Sequence, residues 1–132
     1  MKIQNKYELR DKLILIGIQA IEHALRFLPT DNESRKIIET RLAAVRSGDI
    51  KSLGTIKKET TYTLESCLLR ASAELVKLTQ CQKWMSSQML TNAVFIPCWD
   101  AGIFVGRGSV ELNLEQDWQN TNLWPQIKKL YE

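Results

Sequence analysis

The feature that most constrains this chain is an apolar stripe running from Tyr7 to Leu28. Leu9, Leu13, Gly17, Ala20, Ala24 and Leu28 recur at steps of three or four, and Ile14, Ile18, Ile21 and Leu25 widen the same side. That is the 3.6-residue period of an amphipathic helix with a broad buried face. Lys6, Arg10, Asp11, Glu22 and Arg26 lie mostly opposite. A helix so apolar on one side has to be covered by other elements, so it organises whatever packs around it.

A chain of 132 residues suits one domain, taken here as 1–132. At 44% hydrophobic and 25% charged it is neither disordered nor fibrous in composition. Met1 to Lys12 is charged throughout, and Leu13 to Ile18 is too short for a signal sequence and is followed by no small-residue cleavage site. No apolar run approaches the ~20 residues of a membrane span. The expectation is a cytoplasmic protein without a membrane partner. Cys67, Cys81 and Cys98 fit no disulfide framework and read as small buried hydrophobes in a reducing compartment. The net charge of +3 is uneven, with +4 over residues 1–60 and −1 over the rest.

Along the chain, Pro29 should end the first helix. Thr30 and Glu33 have capping-box spacing, which predicts a second helix from about Asp31 to Ser47, with Ile37, Ile38, Leu42 and Val45 inward and Gly48 as its left-handed stop. The short connection predicts an antiparallel pair. Asp49 can cap a short Ile50–Leu53–Ile56 stripe interrupted by Gly54, and Thr60 to Thr63 lowers helix propensity. Leu64, Cys67, Leu68, Ala71, Leu75 and Leu78 mark a third helix. Gln80 to Ile96, with Trp84, Met85, Gln88, Met89, Asn92 and Phe95 on one side, predicts a fourth that Pro97 breaks or kinks. Residues 98–109, with Gly102, Gly106 and Gly108 around Ile103, Phe104 and Val105, allow a hairpin or a closely packed helix; the helix is favoured. Val110, Leu114 and Trp118 mark a fifth helix with that side inward, and Pro125 starts a short last one. The expected fold is an all-α bundle of five to six helices built from antiparallel helix pairs.

Catalytic signatures are sparse. His23 is the one histidine, and no nucleophile stands at a readable spacing from it. No zinc spacing and no phosphate loop is present. No metal or cofactor is expected, and the chain is read as a non-enzyme. Glu111, Glu115 and Asp117 form a small acidic group on the last long helix, read by default as a solvent-facing surface and as a contact for a basic partner. Trp99 and Trp124, beside prolines, are candidate interface anchors.

Two segments resemble a known family. The first is Ala20-Ile21-Glu22-His23-Ala24-Leu25, Leu28-Pro29, Glu33 to Glu39 and Arg46-Ser47-Gly48-Asp49-Ile50; the second is Glu115-Gln116-Asp117-Trp118-Gln119 with Leu123 to Leu130. Their order is similar to the helical immunity proteins of bacterial polymorphic-toxin and contact-dependent growth inhibition systems, the family numbered fifth among them. The middle of this chain is bulkier than that family's Ala-rich helices, Gln116 stands where the family has Arg, and Trp124 separates Leu123 from Pro125. The resemblance implies an inhibitor that binds and neutralises a cognate toxin domain, a nuclease by expectation, by blocking its active site or substrate access in the cytoplasm. The toxin-facing surface is then expected around Trp99, Asp100, Glu111, Glu115 and Asp117. The alternative is a nucleic-acid-associated helical regulatory module, motivated by Arg35, Lys36, Arg41, Arg46, Lys51, Lys57 and Lys58. A small hydrolase using His23 or Cys81 ranks last.

Overall fold

The computed structural model describes residues 5–105 and 109–132, and among these there is no strand. The α-helices are α1 (Lys6–Ala24), α2 (Glu33–Ser47), α3 (Leu64–Leu78), α4 (Ser87–Leu90), α5 (Ile96–Ile103), α6 (Ser109–Asn122) and α7 (Trp124–Leu130). Helix α3 packs against α1, α2 and α5, while α6 lies on α5 and α7. The all-helical bundle expected from the periodicity is the observed one. No helix among the described residues is long and apolar enough to cross a membrane.

Helix α1 buries the stripe that predicted it. Leu9, Leu13, Ile14, Ile18, Ala20, Ile21 and Ala24 are all inside. Asn5 caps its start by accepting from the Tyr7 and Glu8 N–H groups. A 3₁₀ turn over Leu25–Phe27 ends it before Pro29. Arg35 closes that turn, donating from Nη1 to the Leu25 carbonyl at 3.1 Å and the Leu28 carbonyl at 2.7 Å. The Leu25 carbonyl also accepts from the Leu28 N–H at 3.0 Å, and the guanidinium adds a second donor where Pro29 has no N–H to give.

Three expectations shift. The second helix is capped by Asn32, whose side chain accepts from the Arg35 N–H, and not by Thr30. Asn serves at this position as well as Thr, and it stands nearer the first helical residue. The inward face of α2 is Ile38, Arg41, Leu42 and Ala44, leaving Ile37 exposed. Its main neighbour is α3, and Glu22 on α1 reaches it through Arg46 at 2.7 Å. Gly48 takes φ +80° as the left-handed stop.

After a 3₁₀ turn at Ile50–Leu53, residues 54–63 form an extended strap that ends in the Thr63–Ser66 capping box of α3. The predicted helix over Gln80 to Ile96 starts only at Ser87, because Ser86 turns its hydroxyl onto the Met89 N–H as an N-cap. Residues 81–86 are irregular; Met85 is buried and Trp84 faces solvent. A π turn over Thr91–Phe95 joins α4 to α5. Pro97 falls just after the π turn, at the start of α5, and the chain continues helical to Ile103. The helix therefore replaces the hairpin alternative as far as Ile103; Gly106 and Gly108 lie outside the described residues.

Gly102 lets α5 and α6 touch at backbone distance. A Cβ there would stand 3.0 Å from the Glu111 carbonyl carbon and 3.0 Å from the Leu112 nitrogen, atoms that cannot swing aside. Gly102→Ala is expected to lower stability by about 1–3 kcal/mol, read as an earlier urea midpoint at unchanged slope.

Candidate functional site

Helix α6 is packed with its polar side inward. Glu115 and Gln119 are 0% exposed and Glu111 is buried, whereas Val110 and Leu114 remain 49% and 47% exposed. The two sets have the same i+4 spacing and differ by one residue's rotation, about 100°. The expectation that Val110 and Leu114 face the core is therefore corrected. So is the expectation that Glu111 and Glu115 face solvent; of the acidic group only Asp117 is exposed.

The reason lies on α1. His23 Nδ1 is 2.9 Å from Glu115 Oε1 and 3.1 Å from Oε2, and Arg26 Nη1 is 2.8 Å from Oε2. Arg26 Nη1 also donates to the His23 carbonyl at 2.9 Å. Its two hydrogens are thus used, so its 2.8 Å approach to His23 Nδ1 is a contact and not a hydrogen bond. Nδ1 then carries a proton and donates it to the carboxylate. Arg26 Nη2 also lies 3.9 Å from Glu111 Oε2. The Trp118 indole covers the assembly, stacked on the His23 ring at 3.6 Å and 6°. A buried carboxylate is tolerated only when paired and hydrogen-bonded, and α1 supplies His23 while the 3₁₀ turn that follows it supplies Arg26.

Trp99 donates its indole N–H to Gln119 Oε1 at 2.6 Å and is half-buried, so it ties α5 to α6 and is not free as an anchor. Trp124 meets Phe95 edge-on at 5.9 Å and is likewise a packing residue. Asp100 is half-buried. Burial pushes its carboxyl above the usual range, against the Tyr62 hydroxyl that donates to it and the nearby Arg70 charge. Of the five residues expected at the partner surface, the structure brings all to the α5–α6 pair; it places Glu111 and Glu115 inside, Trp99 and Asp100 at the margin and Asp117 outside.

The outward side of α6 mixes polar residues (Asn113, Asp117, Asn120) with exposed apolar ones. Val110 and Leu114 on α6, Ile103 at the end of α5, and Phe104 just beyond it are exposed. Tyr62 from the strap joins Phe104 in an edge-to-face contact at 4.9 Å. The one available signal was that Glu111, Glu115 and Gln119 share the spacing of the apolar set; choosing between the two faces needs His23 and Arg26.

The segments around His23 and around Glu115 and Trp118 meet here. Gln19 on α1 and Gln126 on α7 exchange amide hydrogen bonds at 3.0 and 3.3 Å. No family model, curated protein or solved structure matches the chain.

The cysteines differ in access. Cys67 and Cys98 are buried; burial pushes the Cys67 thiol up to about 11 and the Cys98 thiol well above its ordinary value. Cys81 is part-exposed, with Sγ 3.5 Å from the Lys83 carbonyl. A thiolate is the reactive form. Iodoacetamide is expected to modify Cys81 alone in the native protein and all three cysteines in denaturant, counted by intact mass.

Proposed function

We propose that this chain is a non-enzymatic immunity protein, which binds a toxin domain of the same bacterium in the cytoplasm and covers its active site or substrate path. The observation that carries the reading is the orientation of α6. A helix that hides two glutamates and a glutamine and turns Val110 and Leu114 to water is costly for an isolated domain. It is economical when a partner covers the apolar side, because contact surfaces draw their affinity from a few desolvated apolar anchors. Ile103, Phe104 and Tyr62 extend the same kind of surface, and Asp117 supplies a charge that helps select the partner.

The resemblance of the two terminal segments to immunity proteins supports the toxin as that partner. His23 and Glu115 from those segments belong to the buried scaffold, so on this reading the toxin's chemistry is met by the α6 face. A nuclease partner no longer draws support from Glu111 and Glu115, which are inside.

Co-expression with the toxin domain encoded immediately upstream tests the reading. Growth is expected to be restored, and the two chains are expected to purify together. Absence of both protection and co-purification would remove it.

A further inference from the structure

Three of the basic residues of the first half line one cleft. Lys36 and Arg41 from α2 and Lys57 from the strap line a cleft of about 450 Å³, and every charged residue lining it is a cation. Lys36 pairs with Glu33 on its outer side at 3.7 Å, and that pair is exposed and weak. Arg41 is the unusual member, only 7% exposed. Its Nη1 donates to the Leu69 carbonyl at 2.8 Å and the Ser72 hydroxyl at 2.9 Å. Both acceptors are neutral. Glu59 on the strap is the acid that acts on it electrostatically. A guanidinium has five donors, and two are spent here, which leaves Nε and Nη2 to give.

The remaining wall is informative. Ile37 is exposed, and Leu53 and Ile56 are half-buried beside the cations. The Thr40 and Ser52 hydroxyls already donate to the Lys36 and Asp49 carbonyls, so the cations and Thr55 are the groups that meet a ligand. No aromatic ring lines the cleft to stack a base. The strap also leaves a second cleft of about 440 Å³ on its other side, sharing Leu53, Ile56 and Lys57. The strap thus stands off the helices on both sides, and a ligand has room beneath it.

We propose that the cleft between α2 and the strap is a binding site for a small phosphorylated ligand bearing a short aliphatic group. The phosphate lies against Arg41, Lys36 and Lys57, and the aliphatic group against Ile37, Leu53 and Ile56. A dianion suits a cleft lined by three cations, and the arginine fork suits phosphate oxygens. The site uses none of the residues of the α6 face, so it stands or falls independently of the toxin reading.

The test is isothermal titration of the purified chain with butyl phosphate, with inorganic phosphate and butyrate as separate arms. Butyl phosphate is expected to saturate at one per chain and to bind more tightly than either arm. Lys57→Glu and Lys36→Glu, both at exposed positions, are expected to weaken it about tenfold or more, about 1.4 kcal/mol; Leu114→Glu is expected to leave it unchanged. The proposal is overturned if no saturable binding occurs, if the lysine variants bind as the parent does, or if inorganic phosphate binds equally well. It is also overturned if a single-stranded oligonucleotide binds more tightly and is lost in the same variants, which assigns the cleft to nucleic acid.

Discussion

Arg26→Met is expected to destabilise the fold by about 3 kcal/mol, the largest effect of any single change outside the apolar core. Arg26 is itself 40% exposed, so its own loss from solvent matters little. The cost arises at Glu115, whose side chain is 0% exposed and which, among the described residues, keeps His23 as its close donor once the guanidinium is gone. A buried carboxylate short of partners costs far more than the pair contributes when intact. Glu115→Gln is expected to cost less alone, because an amide of the same size needs no countercharge. In the double variant Arg26→Met/Glu115→Gln part of the loss is expected to return. A double-mutant cycle by urea unfolding measures this, with a coupling of about 1–3 kcal/mol. Strict additivity would show that Glu115 draws its stability from elsewhere.

The second large effect is on association. Leu114→Glu, and Val110→Glu beside it, change residues whose side chains already stand in water, so folding stability is expected to move by no more than about 0.5 kcal/mol. Binding to the cognate toxin domain is expected to weaken by at least about thirtyfold, near 2 kcal/mol, because a carboxylate is then carried into a desolvated contact. Asp117→Asn is expected to act mainly on the association rate and its salt dependence. The contrast between these two effects separates a contact face from a folding face: Arg26→Met loosens the protein, and Leu114→Glu leaves it intact but unable to hold its partner.

How far these features could be read in the chain depended on where the deciding partner stood. Helix α1 was legible because ten apolar positions agree on one face and nothing polar competes. The Gly48 stop of α2 was legible for a local reason, a glycine free to turn left-handed, whereas the Thr60–Thr63 run left a bend and a strained long helix both open, and the Thr63–Ser66 capping box decides for the break. Helix α6 was legible as a helix and misread as to face. Both of its sides repeat at i+4, and the choice is made by His23 and Arg26, 92 and 89 residues away. The late start of α4 turned on the Ser86 hydroxyl, and the displaced cap of α2 on Asn32 in place of Thr30. In each, a side chain competed for backbone groups that periodicity does not weigh. The cationic cleft needed the strap's path, since Lys36, Arg41 and Lys57 come together only where residues 54–63 cross α2.

The most direct measurement is a calorimetric titration with the proposed partner, the product of the reading frame immediately upstream, run in parallel with the parent protein and with Leu114→Glu, each shown by circular dichroism to be equally helical. Saturable one-to-one binding by the parent and its loss in Leu114→Glu is the predicted result. Binding of equal strength by both, or none by the parent, would contradict the claim that the outward side of α6 exists to meet a toxin.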